Sequence, residues 1–176
     1  MEFWIQASCP KYTKSFDSDD ESLSDAIQTV FPMLTEKAFL IWKAIYIPLC
    51  YKYDISIMAN DILDMLENLI NKSTGDMSIH WASDTFANVW MLEWNNDYLE
   101  IEAQWNSVIG GTEQILSTKG SIKIPKQRFI AEWGGILNNV IIGLKQSGYT
   151  EDKLCGMSKL IEIFNKVEGK GVLYSD

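Results

Sequence analysis

The chain reads as an α+β protein: an antiparallel β-sheet of about five strands with three to four helices packed on one side of it. Three observations predict this. Residues 77–105 alternate apolar and polar side chains with the period of two that half-buried strands require. Four other segments, near 22–31, 56–74, 126–147 and 150–168, repeat apolar residues at helical spacing. No repeat, low-complexity tract or Pro/Gly/Ser-rich linker interrupts the 176 residues, so residues 1–176 form a single globular domain, large enough to bury about two-thirds of the unfolded chain's surface.

Each element follows from local chemistry. Phe3 to Ala7 reads as a short strand. Ser22 supplies an N-cap with Asp25 three residues on, a capping-box variant. Leu23, Ala26, Ile27, Val30 and Phe31 follow as the apolar stripe, and Pro32 stops the helix. Residues 38–53 are β-branched and aromatic and broken by Pro48, giving one irregular strand or two short ones. Asp54 or Ser56 caps a second helix, with Met58, Ile62, Met65, Leu66, Leu69 and Ile70 inward and Gly75 beyond its end.

Strands are then expected at 77–82, 87–94, 97–105 and 113–117. Asn95-Asn96 forms a two-residue turn, since asparagine tolerates positive φ. Pro125 belongs at the first position of a long helix, whose stripe runs from Phe129 through Trp133 and Ile136 to Leu144. Gly134, Gly135 and Gly143 each cost that helix about 1 kcal/mol against alanine, so close packing is expected there. Thr150 caps a last helix carrying Leu154, Met157, Leu160, Ile161, Phe164 and Val167 inward.

Composition excludes several functions. Fifteen basic residues against twenty-four acidic ones leave a net charge of −9, which repels phosphate backbones and anionic lipid. Neither nucleic acid nor membrane is therefore an expected partner, whereas a cationic protein would be steered in. Cys9, Cys50 and Cys155 are odd in number and widely spaced, as expected of reduced thiols in the cytoplasm. The N-terminus lacks a basic region followed by a long apolar one, and no apolar run is long enough to span a membrane.

Catalytic constellations are missing from the pattern. His80 is the one histidine, expected in a strand beside Trp81 as a partly buried side chain, and no cysteine lies near it, so no metal site is expected. No Gly-x-Ser-x-Gly elbow and no Asp-x-Asp-x-Asp-Gly loop occurs, and neither Gly110-Gly111 nor Gly169-Lys-Gly171 has phosphate-loop spacing. No cofactor is implied.

Ser73 to Thr118 is the distinctive stretch: it has no lysine or arginine, seven carboxylates and four of the seven tryptophans. A turn at Asn95-Asn96 pairs Trp94 with Asp97, Glu93 with Tyr98, Leu92 with Leu99 and Met91 with Glu100. Trp90, Leu92, Leu99, Ile101, Ala103 and Trp105 then share a core face. The opposite face receives Val89, Met91, Glu93, Tyr98, Glu100, Glu102 and Gln104, each glutamate opposite an apolar or aromatic residue. This acidic face is a solvated surface, a partner interface or, through Glu100 and Glu102, an acid/base pair. The run Asp17-Ser-Asp-Asp-Glu21 is loop and helix-dipole charge or a second contact patch. Trp81, Trp90, Trp105 and Trp133 read as core, and Trp94, near the turn, as a possible exposed anchor.

Tyr51-Lys-Tyr-Asp-Ile55 leading into an Asp- and Leu-rich helix, Trp94-Asn-Asn-Asp-Tyr98, and Phe129-Ile-Ala-Glu-Trp133 opening a long helix resemble bacterial immunity proteins of the polymorphic-toxin systems, including contact-dependent growth inhibition. The resemblance is one of style over most of the chain and carries no family active residues. It implies a non-enzymatic cytoplasmic inhibitor that binds the C-terminal domain of a cognate toxin, often a basic nuclease, in a one-to-one complex. The contact residues expected are Glu93, Asp97, Tyr98, Glu100 and Glu102, with Asp17, Asp19 and Asp20 secondary. The alternative is a small carboxylate-dependent enzyme, with or without magnesium, acting on a nucleotide or sugar.

Overall fold

A computed structural model describes residues 2–33 and 37–171. In chain order they form β1 (Phe3–Gln6), α1 (Leu23–Val30), β2 (Lys37–Trp42), β3 (Ile45–Cys50), a π-helical turn (Tyr51–Ile55) and α2 (Ser56–Asn71). There follow β4 (Gly75–Ser83), β5 (Phe86–Trp94), β6 (Tyr98–Val108), α3 (Glu113–Ser117), β7 (Ile122–Pro125), α4 (Lys126–Glu132), α5 (Gly134–Ser147) and α6 (Met157–Gly171). The class is α+β. The strands divide into two antiparallel sheets, ordered β1-β2-β3 and β4-β5-β6-β7.

The division has a local cause. Lys43 and Ala44 both take positive φ (46° and 69°), making the tight turn that folds β3 back on β2 as a hairpin. Pro48 then sits on the outer edge of β3, and the chain coils directly into the π-helical turn. Asp54, 1% exposed, draws that turn inward: its carboxylate accepts the Cys50 N–H at 2.6 Å and the hydroxyls of Ser83 and Thr85. It therefore joins the first sheet to the β4–β5 hairpin and does not cap α2. Ser56 does not cap α2 either, since its hydroxyl donates back to Lys52 O. The capping box at Ser22 and Asp25 forms as its sequence requires.

Tryptophans hold the two sheets together. Trp42 of β2 meets Trp105 edge-on at 5.0 Å between centroids and Trp90 at 5.6 Å, and Phe3 packs on Trp90 and Phe129. Such pairs add about 0.5–1.5 kcal/mol each beyond the area they bury. Trp94 is core as well, at 4% exposure, and not an exposed anchor. Its indole N–H donates to Lys72 O at 3.1 Å, and its ring lies so close over Gly75 that a Cβ there would fall 2.6 Å from Cζ2.

The expected long helix breaks at Trp133, whose N–H reaches back only to Ile130 O at 3.3 Å. Pro125 ends β7 just before it. The glycines do mark close approaches, to side chains in each case. A Cβ on Gly135 would lie 2.8 Å from that of Ala7, and one on Gly143 would lie 3.0 Å from Phe31 Cζ. Residues 113–117 form the short helix α3 rather than a strand, and the Glu113 carboxylate ties its start to the end of β6 by accepting the Val108 N–H at 2.6 Å. Thr150 heads a separate turn, accepting from Lys153 and Leu154 N–H, and α6 begins seven residues later.

The first sheet and the helices other than α3 cover one face of the four-stranded sheet. Ile79, Trp81, Trp90, Leu92, Leu99 and Ile101 point into that core, while Asp76, Ser78, His80, Glu93, Glu100 and Glu102 are exposed on the other face. His80 is thus a solvated side chain, not a half-buried one.

Candidate functional site

The exposed face of the four-stranded sheet is acidic because strand alternation places every second residue there, and those residues happen to be carboxylates. Its exact arrangement depends on the turn. Asn95 accepts the N–H groups of Asp97 and Tyr98 on Oδ1, both at 2.9 Å, and its own N–H donates to Tyr98 O at 3.0 Å. The two turn residues are therefore Asn96 and Asp97, one place later than expected. The asparagine serves as a side-chain acceptor for the turn, and no residue from Asn95 to Asp97 takes positive φ.

That one-place shift moves the register by two, so both faces keep their residues but every opposite pair changes. Trp94 faces Leu99, Leu92 faces Ile101, Met91 faces Glu102, and Glu93 faces Glu100. The expectation that no like charges stand opposite each other is overturned. On the other flank Glu93 also faces Asp76 of β4, while Glu100 faces Lys123 of β7. One row thus crosses the whole sheet as Asp76–Glu93–Glu100–Lys123.

Cross-strand partners lie about 4.5–5.5 Å apart at Cβ, and like charges there are destabilising. Lys123 relieves little of this, because its ammonium lies over the Tyr98 ring at 5.4 Å from the centroid. Glu100 receives a hydrogen bond from the Ser121 hydroxyl at 3.3 Å. The carboxylates also sit in a concavity. The segment carrying α3 and the turn after it rises beside β6, pinned by fully buried Leu116. Together they enclose an open groove of about 650 Å³ lined by Asp76, Ser78, Met91, Glu93, Glu100 and Glu102 on the sheet and by Ser117, Gly120 and Ser121 on the wall. A second recess, about 240 Å³, continues it past Tyr98 and Lys123.

The structure thus brings Glu93, Glu100 and Glu102 together, with Tyr98 at their margin, 47% exposed. Asp97 lies in the turn, where its carbonyl accepts the Lys126 N–H at 2.9 Å, and it lines neither recess. Asp17, Asp19 and Asp20 are elsewhere, in the loop before α1. Tyr149, just beyond α5, donates its hydroxyl to Asp20 and accepts the Asp17 N–H at 3.1 Å, and Asp17 in turn accepts the Asp19 N–H. Those carboxylates organise a loop. Burial, with the Asp20 carboxylate second, pushes the Tyr149 phenol above its ordinary pKa of 10.0.

Sequence reasoning misses Asp76 and Lys123 as members of the site, since neither lies within the β5–β6 hairpin. Both follow once β4 and β7 are known to flank it. Among the described residues no group of three or more histidine, cysteine, aspartate or glutamate side chains is placed to hold a metal ion. No described helix is long and apolar enough to cross a membrane. No protein-family model, no curated protein and no solved structure matches the chain.

Proposed function

We propose that the chain is a cytoplasmic immunity protein of the polymorphic-toxin type, a non-enzymatic inhibitor that captures the C-terminal domain of a cognate toxin one-to-one. The observation that supports this is the row Asp76–Glu93–Glu100. Three carboxylates stand side by side on rigid sheet, inside a groove, with one lysine at the end of the row. A sheet selected for stability alone avoids like charges at opposite positions. Holding them together makes sense when a cation arrives to neutralise them, as on a nuclease surface built for phosphates. The attraction would raise the association rate, and apolar neighbours such as Met91 would slow dissociation.

The test is capture of the protein encoded immediately upstream. Mixed with its C-terminal domain, the chain forms a stoichiometric complex on gel filtration and abolishes the domain's toxicity. Absence of a toxin gene there, or a toxin domain that ignores the chain, refutes the proposal. A thermal-shift screen with magnesium and nucleotides addresses the enzymatic alternative, because a specific ligand raises the melting temperature.

A further inference from the structure

The two sheets have four edges, and three of them are closed. On β1 the outward N–H of Ile5 donates to Glu132 Oε2 at 2.9 Å. On β3 Pro48 offers no N–H, and the Cys50 N–H is taken by Asp54. On β7 Pro125 offers none, and the Lys123 N–H donates to Glu2 Oε2 at 3.1 Å. Prolines and charged side chains at such positions keep an edge from pairing with another chain.

β4 carries no proline, and among the described residues no side chain from another element bonds its outward N–H groups; its one charged side chain is Asp76. The bonds from Asn95 N–H to Tyr98 O and from Ile109 N–H to Thr85 O show that odd-numbered residues at both ends of β5 turn their backbone polar groups toward β6. Its even-numbered residues therefore bond β4, through Gly75, Met77, Ile79, Trp81 and Ser83. The N–H and C=O groups of Asp76, Ser78, His80 and Ala82 point away from the sheet, and none hydrogen-bonds another described residue. All four residues are exposed. The open edge is nine residues long, against about 5–6 for an ordinary strand.

From this ladder we propose that β4 is the docking edge for an extended basic segment of a partner protein, which adds as a fifth strand with its cationic side chains on the carboxylate face. Charge selects this occupant. The row Asp76–Glu93–Glu100 ends on Lys123 at β7 and on nothing at β4, so a lysine or arginine opposite Asp76 completes it. A second copy would instead bring another chain of net charge −9 to the same edge. Backbone bonds along the edge supply affinity, and alternate side chains supply specificity. The proposal rests on the immunity reading for the partner's charge, while the open edge stands on the ladder alone.

The experiment uses the whole chain and two capped peptides of identical composition, one alternating lysine with valine and one with its lysines in a single block. Calorimetric titration is run on the wild type and on Ser78→Pro, which deletes one outward N–H and leaves the β4–β5 ladder complete. The wild type is expected to bind the alternating peptide at least about tenfold tighter, and Ser78→Pro to lose that preference. Amide exchange at Asp76, Ser78, His80 and Ala82 slows in the wild-type complex. Equal affinity for the two peptides, unchanged binding by folded Ser78→Pro, or protection away from β4 overturns the proposal. If Ser78→Pro does not fold, the exchange experiment on the wild type decides alone. Protection of the same amides by dimerisation without peptide assigns the edge to a second copy and also overturns it. Full toxin neutralisation by Ser78→Pro refutes the docking edge and leaves the immunity reading standing. Peptide binding at β4 by a chain that captures no toxin does the reverse.

Discussion

Replacing Glu93 by glutamine separates the stability of this protein from its proposed use. Glu93 lies between Asp76 and Glu100, and its side chain makes no hydrogen bond or ion pair with another described residue. The substitution therefore removes repulsion and little else. Two carboxylates about 6 Å apart in a water-like dielectric repel by about 0.7 kcal/mol, and 0.1 M salt cuts this to about 0.4. Two neighbours give about 0.8 kcal/mol, equivalent for a domain of this size to a rise of about 2–3 °C in melting temperature. Calorimetry of Glu93→Gln at low and moderate salt, with Glu151→Gln as an exposed control in a loop, measures it. The gain should shrink as salt is added. In the same protein, affinity for a cationic toxin domain should fall about tenfold, the cost of about 1.4 kcal/mol when one close charge pair is lost. A melting temperature that stays constant or falls would refute the repulsion argument, and unchanged affinity would remove Glu93 from the interface.

Asp54→Ala strands the buried Ser83 hydroxyl and the half-buried Cys50 N–H and Thr85 hydroxyl, and denaturant melts should show a loss of about 3 kcal/mol. Tyr149→Phe frees the loop at Asp17 to Asp20 and costs about 1–2 kcal/mol at neutral pH. A phenol whose pKa is raised on folding binds its proton more tightly in the native state. Its stabilisation is whole below about pH 10 and is lost as pH climbs through the native value. Melts above pH 10 should accordingly fall more steeply for the wild type than for Tyr149→Phe. Glu113 behaves oppositely: the Val108 N–H holds its carboxyl below 4.5, so its anchoring of α3 is present above pH 4.5 and lost as pH falls through the lowered native value. Glu113→Gln should remove that acid sensitivity and speed amide exchange in α3, loosening the groove wall.

Much of this fold was legible because it is written in local patterns. The capping box at Ser22, the strands from Gly75 to Val108 and the apolar stripe of α5 each depend on residues within a few places of one another, and each formed as its spacing requires. The two faces of the β5–β6 hairpin were legible for the same reason: alternation survives a register error of two. Turn position was not, because Asn95 could act either as a residue of positive φ or as a side-chain acceptor, and sequence does not choose between them. Residues 113–117 misled because their pattern suits a strand, while in the fold they form a short helix whose first residue is tied to the end of β6.

The sequence by itself determined that residues 73–118 would present a carboxylate-bearing sheet face without lysine or arginine, since the period of two puts Glu93, Glu100 and Glu102 on one side of the hairpin. Which carboxylates oppose one another was decided only in three dimensions. It took the turn at Asn96-Asp97 to set Glu93 against Glu100, β4 to add Asp76, and β7 to bring Lys123. Tertiary structure alone also settled which edge stays open. Pro48 and Pro125 are visible in the chain, but Glu2, Asp54 and Glu132 reach their edge N–H groups from elements distant in sequence or from a turn that no periodicity reports. Hydrogen bonds between remote segments carry no local signature, and they close three edges and leave β4 exposed.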